Sequence, residues 1–179
     1  MASLLVVTGP PGAGKSTVAR FLVERFERSV LVEGDAFFAF LAGGAVLPWL
    51  PDANDQNDVV TQAAASAAGQ YVFGGYATVY DGVVGPWFLP RFAEATGLGF
   101  LHYVVLLPSV ERCVARVAGR LRHGFADQEA TRQMHREFAH ASIEQRHLLM
   151  DPPDEVEAVA ERVLAAVTSG QLMYRSESP

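Results

Sequence analysis

Lysine and cysteine are almost missing from this sequence. Of its 14 basic residues one is a lysine, Lys15, and the other 13 are arginines. The single cysteine, Cys113, excludes an intrachain disulfide and a zinc site built from paired cysteines, and it favours a reducing, cytoplasmic compartment. No apolar run reaches about 18 residues, so we expect no membrane span, and the first residues lack the basic region of a secretory leader.

The composition is that of a folded globular protein. Hydrophobic residues make up 50% of the 179 residues, and the formal net charge is −6. This acidic balance argues against a nucleic-acid or membrane-surface partner, because both attract basic proteins. We expect one domain over residues 1–170, present as a monomer or a homodimer, and a flexible tail over residues 171–179.

Short apolar runs alternate with amphipathic segments along the chain, which predicts a parallel sheet wound by helices. The predicted strands cover residues 4–8, 30–33, 77–80, 102–107 and, more weakly, 147–150. The predicted helices cover residues 15–28, 36–42, 55–73, 88–96, 110–122, 129–146 and 154–168. The fold class is therefore α/β, with a five-stranded parallel sheet flanked by helices in three layers.

The segment Gly-Pro-Pro-Gly-Ala-Gly-Lys-Ser at residues 9–16 matches the phosphate-binding pattern G-x-x-x-x-G-K-[ST] in full. It follows a predicted strand and opens a predicted helix, where glycines let backbone N–H groups turn toward phosphate oxygens. Lys15 would reach the β- and γ-phosphates, and the Ser16 hydroxyl would bind Mg²⁺. A Gly-Pro turn that only connects strand to helix is the alternative, but it leaves Lys15 unexplained. The predicted nucleotide-binding residues are Gly9, Gly12, Ala13, Gly14, Lys15, Ser16 and Thr17.

With this P-loop the chain resembles the small-molecule and nucleotide kinases of the P-loop NTPase class, which include adenylate, adenylylsulfate, gluconate and shikimate kinases and chloramphenicol phosphotransferase. Three further segments carry the resemblance: Gly34-Asp35, Tyr80-Asp81-Gly82, and Arg116 with Arg120 at the start of a lid. The resemblance implies a three-layer P-loop kinase fold, the use of ATP and Mg²⁺, and an Arg-rich lid at about residues 120–133.

The arginines of the lid region have specific roles in this resemblance. Arg112, Arg116 and Arg120 recur every four residues, so they share one helix face. The resemblance implies that Arg116 lies against adenine, and that Arg120 and Arg122 clamp the phosphates when the lid closes. An ordinary solvated arginine face is the alternative interpretation.

Two carboxylates at predicted strand ends are candidates for the chemistry. Asp35 is the predicted catalytic base, because a carboxylate beside the P-loop can accept the proton of an acceptor hydroxyl. Asp35 could instead hold Mg²⁺ through water or cap a short helix. Asp81 ends an apolar strand and is predicted to bind Mg²⁺ together with Ser16, although an Asp-Gly turn explains it equally well.

Positive charge is absent from a long part of the chain that should form the acceptor side. Residues 29–90 contain no lysine or arginine, and the acceptor-binding arginines of adenylate kinase have no counterpart there. An anionic acceptor would meet an unneutralised negative field, so a neutral or cationic acceptor fits better. Aromatic side chains in this stretch suit a ring-bearing or cationic ligand. The predicted substrate-binding residues are Asp35, Phe38, Trp49, Gln56, Asp81 and Trp87.

These patterns predict an ATP-dependent phosphotransferase that moves the γ-phosphate to a hydroxyl of a neutral or cationic small molecule, antibiotic-like or nucleoside-like. The predicted catalytic residues are Lys15, Asp35, Arg120 and Arg122. Two alternatives stay open. One is a nucleoside monophosphate kinase, and the other is an ATP-binding regulatory module that transfers no phosphate.

Overall fold

A computed structural model of the chain describes residues 2–119 and 127–176. Its strands are β1 (Leu4–Thr8), β2 (Ser29–Glu33), β3 (Ala77–Asp81), β4 (Phe100–Leu107), β5 (Leu148–Met150) and β6 (Met173–Arg175). Its α-helices are α1 (Lys15–Val23), α2 (Gly34–Phe38), α3 (Asn54–Phe73), α4 (Leu89–Thr96), α5 (Val110–Ala118), α6 (Gln128–His140) and α7 (Val156–Thr168). Short 3-10 helices cover Pro51–Ala53 and Gln145–His147.

The sheet confirms the predicted α/β class. Its strands run in the order β2-β3-β1-β4-β5 and are all parallel. Because parallel strands end at one edge, the segments after β1, β2 and β3 meet there, and this edge carries the site. Within the described residues, no helix combines the length and apolar character needed to cross a membrane.

Alternating strand residues divide the core into two clusters, one on each face of the sheet. Leu4, Val6 and Tyr80 pack on one face under α3, α4 and α6. Leu5 and Val7 point to the opposite face, which α1 and α7 cover. The three-layer arrangement follows from this alternation, since each face buries its own set of apolar side chains.

The predicted helix over residues 129–146 is too long. Helix α6 ends at His140, and Ala141 has the extended conformation φ −72°, ψ 148°. The chain must leave the helix there to return to the sheet, where the Nδ1 atom of buried His147 donates to the Tyr103 carbonyl at 2.9 Å. Similarly, α1 ends at Val23 rather than at residue 28.

The C-terminus also differs from the expected flexible tail at residues 171–179. Leu172 is buried, and Met173–Arg175 forms an antiparallel strand against Phe100–His102 of β4. Strand β5 pairs only with residues 105–107, so the first part of the same β4 edge is open to β6. The physical reason for the difference is that three residues are too few to show strand periodicity in a sequence.

Candidate active site

The P-loop adopts a conformation that only glycine accommodates easily. Gly9 and Gly12 have φ values of 141° and 80°. A Cβ atom on Gly9 would lie 2.2 Å from the Leu106 carbonyl oxygen, and one on Gly12 would lie 2.3 Å from that of Cys113. The loop therefore packs its backbone directly against β4 and α5. This close approach leaves no room for a side chain on the inner side of the loop.

Lys15 and Ser16 begin α1 directly after this loop. The Lys15 ammonium donates to the Pro10 carbonyl at 3.2 Å, so its side chain folds back across the loop. Both residues line a cavity of about 550 Å³, which we call the main cavity. The P-loop lysine and hydroxyl therefore face the same space as the strand-end carboxylates described next.

Asp81, at the end of β3, lies beside the P-loop. Its carboxylate lies close enough to the Ser16 hydroxyl for the two groups to interact. Burial raises the pKa of Asp81, as does the nearby Asp35, whereas the Ser16 hydroxyl and the Lys15 charge lower it in part. The tertiary structure thus brings together four of the predicted residues at one end of the main cavity.

The pair Ser16 and Asp81 suits a magnesium ion chemically. Among the described residues there is no group of three or more His, Cys, Asp or Glu side chains that could hold a metal. Mg²⁺ does not need such a group, because it keeps several water ligands and binds one or two protein oxygens together with substrate phosphates. A hydroxyl and a carboxylate that line one cavity beside a P-loop are such a donor set.

Asp35 lies in the first turn of α2 rather than at its N-cap, a position that Glu33 occupies without a side-chain capping bond. Asp35 is exposed and lines the main cavity. Glu33, which precedes this turn, instead pairs with Arg20 at 2.8 Å. Asp35 is therefore the carboxylate that follows β2 and lines the main cavity.

Tyr80 is a lining residue that sequence reasoning missed. A Cβ atom on Gly34 would lie 2.3 Å from the Tyr80 hydroxyl, and one on Gly82 would lie 2.7 Å from its ring. The ring is buried between these two glycines, and burial with the adjacent Asp35 and Asp81 carboxylates raises its pKa. The glycines of the Gly-Asp and Asp-Gly segments were the available signal, because they mark a close approach.

A second cavity, of about 310 Å³, lies on the other side of the P-loop, and we call it the nucleotide-side cavity. Arg116 lines it, contacting the Gly12 carbonyl at 3.4 Å through Nη1 and Asp154 at 3.0 Å through Nη2. Arg112 also pairs with Asp154 and donates to the Pro152 carbonyl at 3.0 Å. Thr17 lines the same cavity, whereas the predicted lid residues Arg120 and Arg122 lie outside the described residues.

On the acceptor side, Phe38, Trp49 and Trp87 all line the main cavity. Gln56 does not. Its amide oxygen accepts from the Val46 N–H and its amide nitrogen donates to the Val46 carbonyl, both at 2.8 Å. Gln56 therefore holds the backbone of the loop that carries Trp49. Asn57 supports the same loop by donating to the Pro48 carbonyl at 2.7 Å.

The loop that carries Trp87 is fixed by two buried hydroxyl groups that the sequence did not single out. The Thr8 hydroxyl accepts from the Val84 N–H, and the Tyr103 hydroxyl donates to the Val84 carbonyl, each at 2.8 Å. A Cβ atom on Gly85 would lie 2.3 Å from the Trp87 ring, so the indole rests on the Gly85 backbone.

Helix α6 supplies the last wall of the main cavity. Ala130, Gln133, Met134 and Glu137 line the cavity, and their spacing places them on one helix face. The available signal was this i, i+3, i+4, i+7 pattern.

Fold and site together define a P-loop kinase-like NTPase. The chain belongs to the AAA domain family, whose model matches residues 4–144. No curated protein matches the sequence.

Solved structures share the fold at low identity. The tunicamycin resistance protein of Deinococcus radiodurans is 15% identical, with a TM-score of 0.69 over 93% of this chain and 96% of that one. A gluconokinase from Sinorhizobium meliloti is 18% identical, with a TM-score of 0.66 over 94% and 93%. The APS kinase of Mycobacterium tuberculosis is 16% identical, with a TM-score of 0.69 over 93% and 98%. At these identities the likeness concerns the fold.

Proposed function

We propose that the protein is an ATP- and Mg²⁺-dependent phosphotransferase that moves the γ-phosphate to a hydroxyl group of a neutral or cationic small molecule. One observation carries the proposal. Lys15, Ser16, Asp35 and Asp81 line a cavity whose other lining residues include aromatic, amide, acidic and aliphatic side chains. Such a cavity has room for a phosphate donor at one end and an acceptor at the other.

In the proposed reaction Asp35 accepts the proton of the acceptor hydroxyl as that oxygen attacks the γ-phosphorus. The bond from phosphorus to the β-phosphate oxygen breaks, and ADP leaves. Lys15 and the loop N–H groups stabilise the negative charge of the transferring group. Mg²⁺, held by Ser16 and Asp81, supplies further charge neutralisation when bound. Arg120 and Arg122 remain proposed partners of the phosphates.

For the nucleotide, we propose that the base occupies the nucleotide-side cavity. Arg116 is restrained there by Asp154 and by the P-loop carbonyl of Gly12, so its planar guanidinium is positioned to stack on a base. The proposed sites for the base and for the acceptor therefore lie on different sides of the P-loop, and the phosphates reach from one to the other.

The scarcity of basic side chains in the described lining of the main cavity supports a neutral or cationic acceptor. Lys15 is the one basic residue among the described residues that line the main cavity, and it lies at the phosphate end. The similar gluconokinase and APS kinase are named as kinases of small molecules, and the tunicamycin resistance protein is named for an antibiotic. We therefore propose an antibiotic-like or nucleoside-like acceptor.

An ADP-release screen over neutral, cationic and phosphorylated hydroxyl compounds tests the proposal. We expect acceptor-dependent ADP release that falls about 1000-fold in Lys15→Ala and about 100-fold in Asp35→Asn. Asp52→Asn is the matched control, because it removes the same charge from an exposed residue outside the cavity.

Each alternative has its own outcome in this screen. A strong preference for nucleoside monophosphates would restore a nucleoside monophosphate kinase. ATP binding without stimulation by any acceptor would favour a regulatory module. Full activity of Asp35→Asn would refute the assignment of the base.

A further inference from the structure

Helix α6 contributes a carboxylate to the lining of the main cavity, and no ion pair within residues 2–119 and 127–176 balances its charge. Glu137 is an exposed residue of α6, and it lines the cavity on the same helix face as Gln133. The Gln133 amide donates to Glu137 Oε1 at 3.2 Å, which orients the carboxylate but leaves its charge in place. No described lysine or arginine forms an ion pair with Glu137.

Another acid of the same helix shows the contrast. Glu129 lies outside the cavity and contacts two arginines of α6, Arg132 at 4.0 Å and Arg136 at 3.5 Å. The arginines of α6 are therefore used away from the cavity, whereas the cavity face keeps its acid. A ligand cation would balance the charge of Glu137.

An aromatic ring lies beside this part of α6. The Trp87 ring centroid is 5.2 Å from that of Phe138, the residue that follows Glu137. The indole is held from below by the Gly85 backbone and is 41% exposed. Glu137 and Trp87 thus line the same cavity. A carboxylate and an indole ring in one lining suit a substituted ammonium group, because both attract a cation.

The lining of the cavity therefore has two opposite preferences. Lys15 and the P-loop N–H groups favour phosphate, while Glu137, which has no ion-pair partner among the described residues, disfavours an anion. A neutral acceptor would leave the charge of Glu137 unbalanced. Burial of the Glu137 carboxylate by a neutral acceptor would cost desolvation free energy.

We propose that Glu137 selects an acceptor that carries a protonated amine, which binds between the Glu137 carboxylate and the Trp87 indole while the reacting hydroxyl faces Asp35. This inference rests on the proposed phosphotransferase function and narrows its acceptor class. In this arrangement Glu137 determines specificity and takes no part in the proton transfer.

A binding experiment tests the inference without turnover. The chain's two tryptophans, Trp49 and Trp87, both line the main cavity, so their fluorescence reports its occupancy. With Mg²⁺ and a non-hydrolysable ATP analogue present, the protein is titrated with glucosamine and with 2-amino-1-phenylethanol, each beside its N-acetylated form. We expect the free amine of at least one pair to bind about tenfold more tightly than the neutral amide.

Two variants of α6 localise the effect. Glu137→Gln should reduce the preference for the amine to less than about threefold, whereas Glu129→Gln, which removes the same charge from the same helix, should retain it. Thermal unfolding establishes that both variants are folded. Equal or tighter binding of the acetylated forms, an amine preference that survives Glu137→Gln, or no binding of either amine overturns the inference.

Phosphoryl transfer, measured on the same compounds, separates this inference from the function. If only neutral acceptors are phosphorylated, the inference fails and the phosphotransferase function stands. If amines bind through Glu137 and no hydroxyl compound accepts phosphate, the cation site stands and the proposed function fails.

Discussion

The proposed phosphate side and the proposed acceptor side of the main cavity are built by different means. On the phosphate side, recognition is assigned to main-chain groups, and the glycines allow the loop to lie against β4 and α5. On the acceptor side, recognition is assigned to side chains from α2, two loops, α3 and α6. A backbone site requires particular conformations at consecutive residues, whereas a side-chain site requires that distant segments meet. The two sides should therefore respond differently to substitution.

The largest effect is expected at Gly12, where a side chain would break the phosphate side alone. Gly12→Ala places a Cβ 2.3 Å from the Cys113 carbonyl oxygen, so the loop must move, and we expect ATP affinity to fall more than about 100-fold. Calorimetric titration with ATP and Mg²⁺ measures this loss.

Gly75→Ala is the matched control, since Gly75 has a similar φ of 85° but nothing within 4 Å of its Cβ position. It should lose about 1 kcal/mol of stability through backbone strain and keep its ATP affinity. Similar ATP affinities for the two variants would contradict the role of the close approach at Gly12.

An intermediate effect is expected on the acceptor side. Gly85→Ala pushes the Trp87 ring from its place, so we expect the KM for the acceptor to rise about tenfold while the KM for ATP changes less than about twofold. Initial rates with an acceptor from the screen measure the two constants.

Gly99→Ala is the control for this change, because its Cβ position meets nothing within 4 Å. The tryptophan emission of Gly85→Ala should also differ from that of the unsubstituted protein, and that of Gly99→Ala should not. A parallel rise in both KM values would show that the two sides are not separable at this position.

The smallest expected change is in thermal stability, at Asp81, which adjoins both sides. Burial raises its pKa, so the folded protein holds the carboxyl proton more tightly than the unfolded chain. The stability contributed by this group is present below its ordinary pKa of about 4 and is lost as the pH rises through the raised value. Without nucleotide, Asp81→Asn should therefore raise the Tm by about 2 °C near neutral pH, while it abolishes Mg²⁺-dependent transfer.

Thermal unfolding of both proteins from about pH 4 to pH 8 checks the sign. The difference in Tm should shrink toward the acidic end, where Asp81 is protonated in the unsubstituted protein. A lower Tm for Asp81→Asn at neutral pH, or a difference independent of pH, would mean that the Ser16 and Lys15 interactions outweigh the cost of burial.

Much of the fold follows from local patterns. Strand β1 is a continuous apolar run, Ser109 caps α5, and the order of strands and helices predicts the parallel sheet. The predictions from sequence are wrong where a tertiary contact ends or creates a helix or a strand. Helix α6 ends because the chain returns to the sheet, where His147 contacts Tyr103. Strand β6 forms because the first part of the β4 edge is open for pairing.

For the site, the sequence by itself determined the P-loop, because the loop conformation depends on consecutive glycines, a lysine and a serine whose spacing is visible in one stretch. It also determined that residues 29–90 contain no lysine or arginine. Only the tertiary structure decided which side chains form that side. Gln56 turns away to hold Val46, while Tyr80 and Glu137, separated from Asp35 by 45 and 102 positions, join it in one cavity. Packing of the sheet and the helices brings these residues together, and no local sequence pattern encodes that packing.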